Sequence, residues 1–276
     1  MCYYDCVMAQ QNFWKNKFLF DPTKEEPHKI SRSKIDLFIE CPRCFYLDQR
    51  LGIRRPSMPG FTLNVAVDEL LKKEFDMYRA KNTPHPIMVQ YKIDAVPYAN
   101  DELEAWRDSL RRGITHHHKP TNLIIRGGVD DVWIDKNGNL IIVDYKATSK
   151  KDEPTIETGW GDQYKRQMEI YQWLFRQNGF PVLPTGYFVY CNGKKDKESF
   201  NAKLEFDIIV ISYTGSDSWV EKTLITIKAC LMDDRIPSPL ATCEYCAYRE
   251  KAYNSEHSEL SENFSKKPRE NQSKLF

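Results

Sequence analysis

Gly127-Gly-Val-Asp-Asp-Val-Trp-Ile-Asp-Lys-Asn-Gly-Asn-Leu-Ile-Ile-Val-Asp-Tyr-Lys-Ala-Thr148 leaves the chain around it few choices. Val129, Val132, Trp133 and Ile134 give its first half the β-branched and aromatic character of a strand. Lys136-Asn-Gly-Asn139 reads as a turn, because Asn and Gly tolerate positive φ. Leu140-Ile-Ile-Val143 is a short apolar run, the mark of a strand buried on both faces. It breaks into Asp144-Tyr-Lys146. Side chains alternate along a strand, so Asp144 and Lys146 share one face. The hairpin brings Asp130 into their neighbourhood. Two carboxylates and one lysine therefore gather at one end of an apolar sheet.

That grouping has a chemical use. Two carboxylates can hold a hard divalent cation such as Mg2+ and leave other positions for water and a substrate phosphate. A neighbouring lysine can orient the attacking water, help deprotonate it, or offset negative charge as it builds. The alternative is a surface hairpin with a local Asp–Lys pair that contributes little. The aliphatic run just before Asp144 weighs against that alternative, because a charge placed there is costly without a partner.

Gly-x-Val-Asp, a turn, and Ile-Val-Asp-Tyr-Lys together resemble the core of the PD-(D/E)XK nuclease superfamily, in its RecB-like branch. That branch adds a helix bearing Gln-x-x-x-Tyr, and Gln167-Met-Glu-Ile-Tyr171 fits it. Gln and Tyr at i and i+4 share one helix face. The likeness, similar to AddB and to CRISPR-associated adaptation nucleases, runs from about Ser31 to Arg249. It implies an α/β, restriction-endonuclease-like core with a central mixed β-sheet flanked by helices. It implies metal-dependent hydrolysis of DNA, with Asp130 and Asp144 binding Mg2+ or Mn2+ and the Tyr145 carbonyl as a further ligand. Lys146 would position the water, and Gln167 and Tyr171 would orient the substrate strand. A helix of this branch often supplies a histidine near the metal. Its pattern lines up with Asn64-Val-Ala-Val-Asp68-Glu-Leu-Leu71, which puts Asp68 in that place. Asp68 is then a third acidic ligand, a sign of an altered site, or a solvated residue. Glu69 is a second candidate, but it points about 100° away on a helix.

The chain has 276 residues, enough for one large domain or two small ones. A hydrophobic share of 41% supports a core, and no run approaches a membrane span. The N-terminus has no apolar signal core, so a cytoplasmic protein is expected. With a net charge of +1, any DNA-binding surface must come from local patches such as Arg50 to Arg55, Arg107 to Arg112 or Lys146 to Lys151. Eight cysteines in a chain of this kind suggest metal rather than disulfides. Cys41-x-x-Cys44 and Cys243-x-x-Cys246 are two CxxC pairs about 200 residues apart. Four thiolates suit either a four-iron four-sulfur cluster or Zn2+, and the spacing does not choose. The likeness leans toward iron–sulfur, although iron–sulfur members of the branch place one cysteine early and three late. Four unrelated buried cysteines are the alternative. Cys2 and Cys6 read as incidental, and Cys191 and Cys230 as buried thiols.

In order, residues 1–30 read as a loose N-terminal arm and 31–252 as the nuclease-like domain, with Ser31 or Ser33 as a helix cap. Gly60 to Ala80 reads as an amphipathic helix carrying Leu63, Val65, Val67, Leu70, Leu71, Phe75 and Tyr78 on its apolar face. Asp101 to Arg112 reads as a helix with dipole-matched ends. His116, His117 and His118 diverge in direction and are left outside any metal site. Leu123 to Arg126, Gly186 to Cys191 and Leu204 to Ile211 read as strands, and Asp162 to Asn178 and Trp219 to Asp233 as helices. The first of those helices shows Tyr164, Met168, Tyr171, Leu174 and Phe175 as its buried stripe. Ala147 to Pro154 reads as a charged loop. Residues 253–276 have little to bury and are expected to be disordered. The chain ends in Gln272-Ser-Lys-Leu-Phe276, which resembles the peptide that docks bacterial DNA-processing proteins on the β sliding clamp. Two further readings stand beside the nuclease. One is a DNA- and clamp-binding accessory with a weak or silent site. The other is a nuclease that trims spacer ends in CRISPR adaptation.

Overall fold

The computed structural model describes residues 18–57 and 60–257. Its elements in chain order are β1 (His28–Ser31), α1 (Arg32–Glu40), α2 (Pro42–Leu51), α3 (Thr62–Arg79), α4 (Pro86–Gln90), β2 (Ala95–Pro97), α5 (Leu103–Arg107), β3 (Ile114–His118), β4 (Leu123–Gly127), β5 (Asp131–Asp135), β6 (Leu140–Thr148), α6 (Gly161–Gln177), β7 (Thr185–Gly193), β8 (Phe206–Thr214), α7 (Val220–Met232) and α8 (Glu244–Glu256). They fall into two compact units. The larger holds Phe20–Asp36 and Ser57–Met232; the described part of the smaller is 18–19, 37–56 and 233–257.

The larger unit is built on a five-stranded mixed sheet in the order β2-β5-β6-β7-β8. β5 and β6 are antiparallel and are joined by the expected turn. Asp135 Oδ1 accepts from Asn137 N at 2.9 Å and Asn139 N at 2.8 Å, and Gly138 takes φ +83°. β6 and β7 run parallel, which requires a crossover, and α6 supplies it. Leu140 to Tyr145 are all buried, as an apolar run in a central strand requires. The pleat divides them. Ile141, Val143 and Tyr145 join Trp133, Val189 and Cys191 in a core covered by Leu71 and Phe75 of α3 and by Ile87 and Met88 of α4. Asp144 points to the other face, where α6 packs, and its oxygen meets Gln167. The mixed sheet with helices on both faces is thus the expected α/β architecture.

Several local expectations change. The stretch read as a loose arm contains β1, which pairs parallel with β4. β3 pairs antiparallel on β4's other edge, making a second, three-stranded sheet. The helix expected over Asp101 to Arg112 stops at Arg107. Trp106 O accepts from Val129 N at 3.1 Å and Ala105 O accepts from Gly113 N at 2.9 Å, so tertiary partners take the carbonyls that would continue it. α3 buries Leu71 and Phe75 but leaves Leu63, Val65 and Leu70 exposed. α6 buries nearly its whole circumference from Gln167 to Phe175, while Tyr164 is only half-buried. Cys191 is buried, whereas Cys230 is only half-buried. β6 extends to Thr148, into the segment expected to be loop, and α8 runs on to Glu256, past the expected boundary at 252. Residues 1–17, with Cys2 and Cys6, and residues 258–276, with Gln272–Phe276, lie outside the described residues.

Candidate active site

Strand alternation places Asp144 and Lys146 together, and they form an ion pair through Asp144 Oδ2 and Lys146 Nζ. Asp144 is fully buried, and its Oδ2 has no hydrogen-bond partner, only the facing ammonium. Its Oδ1 accepts from Gln167 Nε2 at 2.6 Å, and the same amide reaches the Tyr171 hydroxyl at 3.2 Å. The i, i+4 pair on α6 is therefore brought directly behind the carboxylate. Asp130 sits just before β5, not on it. Its Oδ2 accepts from Tyr145 N at 2.8 Å, which ties it to the peptide between Asp144 and Lys146.

Asp68 reaches this group from α3, which the sequence alone left open. Asp68, Asp130, Tyr145 and Lys146 line one pocket of about 370 Å3 with Asn64 and Tyr164, while Glu69 is exposed. Lys72, one helical turn after Asp68, went unnoticed in the sequence. Its ammonium lies 2.6 Å from Asp68 Oδ2 and 3.6 Å from Asp130 Oδ1, so it bridges two carboxylates. Tyr164 was read only as a core residue. Its ring lies 4.5 Å from Lys146 Nζ and helps confine the ammonium.

The electrostatics follow from burial and like charge. Burial pushes the Asp144 carboxyl up to about 7; Asp130 adds to the rise and Lys146 opposes it. Asp68 is raised by burial and then by Asp130. Burial works against the Lys146 charge, yet Asp144 and Asp130 outweigh it and hold the ammonium above its ordinary range. Lys146 in this state is a hydrogen-bond donor and a positive charge. These carboxylates suit a hard cation: they are crowded and partly desolvated, and burial and like charge raise both Asp68 and Asp144.

Two glycines let the site close. A Cβ on Gly127 would lie 2.7 Å from the Tyr171 ring, and one on Gly128 would lie 2.5 Å from Ser109 Cβ. Gly127 thus permits α6 to approach closely enough for Gln167 to reach Asp144, while Gly128 makes room for Ser109. Behind Tyr171, the same helix faces Arg32. Burial works against the Arg32 charge, but Tyr171, Asp36 and Asp144 raise it above its ordinary value.

The pocket continues into a groove with Phe61, Asn64 and Tyr164 in common, walled further by Trp160, Lys150 and Leu204. Phe61 and Trp160 are 64% and 55% exposed, so their ring faces are available for stacking. One arginine from each of two expected basic patches is used otherwise, while Arg54, Arg111 and Arg112 stay exposed. Arg107 is buried against Asp76 at 2.9 Å and Asp131 at 3.2 Å, and Arg55 pairs with Glu40 at 2.6 Å. The histidine run lies on β3. His118 bonds Glu221 at 2.6 Å and Thr121 at 2.8 Å, His117 bonds Asn122 at 2.9 Å, and His116 packs edge-on to Trp173.

The four cysteines of the two CxxC pairs also come together, in the smaller unit. Their sulfurs all lie within 4.8 Å of one another, and all four residues are buried. No helix among the described residues is long and apolar enough to cross a membrane.

Carboxylates and a lysine at the end of a mixed sheet, backed by a Gln–Tyr helix, have a counterpart among known families. A model of the PD-(D/E)XK nuclease superfamily matches residues 62–250, and the chain belongs to that superfamily. Its nucleases generally use Mg2+ or Mn2+. No curated protein matches the chain.

Proposed function

We propose that the chain is a Mg2+- or Mn2+-dependent deoxyribonuclease of the RecB-like branch, acting in DNA repair, recombination or replication. The observation that carries this reading is the convergence of Asp130 and Lys146 in one pocket, with the buried Asp144 paired to Lys146 and backed by Gln167 and Tyr171. Asp130 and Asp144 would hold the cation, with Asp68 and the Tyr145 carbonyl as further ligands. Bound there, it supplies Lewis-acid stabilisation and lowers the pKa of a bound water. The Lys146 ammonium faces the charge that develops on phosphate oxygen as water attacks phosphorus and the opposite P–O bond breaks. Gln167 fixes the orientation of the Asp144 carboxylate. Phe61 and Trp160 offer faces on which bases can stack.

The test uses labelled single- and double-stranded DNA with Mg2+, Mn2+ or EDTA. Cleavage is expected with either metal, none in EDTA, and a loss of about 10²-fold or more in Asp130→Asn. DNA bound but uncut by folded wild type under every condition would replace the nuclease with the DNA- and clamp-binding accessory. Recruitment by a β sliding clamp rests on Gln272-Ser-Lys-Leu-Phe276 alone. Pull-down by the clamp is expected to be lost when those residues are deleted; equal capture of both forms would remove the proposal.

A further inference from the structure

We infer that Cys41, Cys44, Cys243 and Cys246 form a closed, mononuclear tetrahedral thiolate site that takes Zn2+ and not an iron–sulfur cluster. The sulfur spacing carries the inference. Cys41 and Cys246 Sγ stand 3.8 Å apart, Cys44 and Cys243 3.6 Å, and Cys44 and Cys246 3.6 Å. Four sulfurs at about 2.3 Å from one zinc ion lie at the corners of a tetrahedron with edges of about 3.8 Å. A four-iron cluster sets a different spacing. Each cysteine binds a different iron and points away from the centre of the cube, so its sulfurs stand well beyond the edge of a single-ion tetrahedron. Here all four sulfurs fall within 4.8 Å of one another.

The backbone repeats the same device twice. Cys41 is the N-cap of α2 and Cys243 the N-cap of α8, both in extended conformation and neither capping through its side chain. Cys41 O accepts from Phe45 N and Cys243 O from Ala247 N, at 3.1 and 3.0 Å. Each CxxC therefore presents one sulfur from the cap and one from the first turn, where the positive end of the helix favours thiolates. Four thiolates around a divalent ion leave net negative charge. Arg55 Nη2 lies 3.6 Å from Cys243 Sγ, while Glu40 and the face of Tyr245 fix its guanidinium. All four cysteines are 7% exposed or less, so no coordination position is open to substrate and the site is structural.

The smaller unit is assembled from separate stretches of chain. Its cysteines form their own buried cluster, with Leu37 packed against it. Cys44 and Cys243 lie 199 residues apart in sequence, so the ion would join segments that share no nearby chain.

The test is the metal content of the full chain purified anaerobically from iron-supplemented cells, with acid-labile sulfide and the visible spectrum. About one zinc ion per chain, no labile sulfide and no iron–sulfur absorption is the expected result. Exchange with Co2+ should give the intense visible bands of a tetrahedral thiolate site, and Cys243→Ser with Cys246→Ser should abolish them. Iron with labile sulfide, or folded wild type that holds no metal and whose eight thiols all titrate on denaturation, would overturn the inference. These readouts are independent of DNA cleavage, so a silent nuclease site would leave them unaffected.

Discussion

Lys146→Met is expected to slow metal-dependent DNA cleavage by about 10²–10³-fold, the loss typical of removing one preorganised charge-stabilising donor. DNA affinity should stay close to that of the wild type, because Lys146 lies in the carboxylate pocket while Phe61, Trp160 and Lys150 line the adjoining groove. The substitution removes an ammonium confined between the Asp144 carboxylate and the Tyr164 ring. The remaining Asp144 already sits at about 7, so it can take up a proton instead of standing as an unpaired buried charge. The fold should therefore survive, which a thermal melt would check. Lys146→Arg should not restore the rate, because a planar fork does not reproduce a compact point charge. Single-turnover rates on labelled strands decide the matter. A rate within tenfold of wild type would remove Lys146 from the chemistry.

Asp131→Ala should cost about 3–5 kcal/mol of stability, the range for breaking a buried ion pair from one side. Asp131 is fully buried and its neighbours converge on it. Its Oδ1 takes Arg79, Arg107 Nη2 at 3.2 Å and its own strand's Val132 N at 2.9 Å, and its Oδ2 takes the Tyr145 hydroxyl at 2.8 Å. Removing it leaves two largely buried guanidiniums that share Asp76, with Glu104 as a further partner of Arg107 alone. It also leaves the Tyr145 hydroxyl without this acceptor. In a chain of this size the melting midpoint should fall by roughly 6–20 °C. Asp131→Asn, which keeps an acceptor oxygen, should fall less. A change below about 1 kcal/mol in urea titration would mean that the arginines repair the network from Asp76 and Glu104.

How far the site can be read from sequence depends on how local its logic is. Asp144 and Lys146 are legible because strand alternation fixes their common face, and Gln167 and Tyr171 because i, i+4 fixes theirs. Asp130 is legible through the hairpin. The role of Asp131, one residue later, is not, because Arg79 and Arg107 come from 52 and 24 residues away. Lys72 resembles any lysine on an amphipathic helix until the fold sets it between Asp68 and Asp130. β1 escapes a periodicity reading because four residues are too few to show one, and its burial depends on pairing with β4. α6 is harder still: it carries glutamine, glutamate and arginine through a buried helix. Glu169 is held by Tyr213, Ser216 and Trp219, partners that no local pattern announces.

The discontinuity of the smaller unit sets an order of events during synthesis. Cys41 and Cys44 leave the ribosome about 200 residues before Cys243 and Cys246. At about 5–20 residues per second, they wait on the order of ten to forty seconds for their partners. In that interval the strands and helices between Ser57 and Met232 have already emerged. The four-cysteine cluster can therefore be completed only after the larger unit, hairpin included, has left the ribosome.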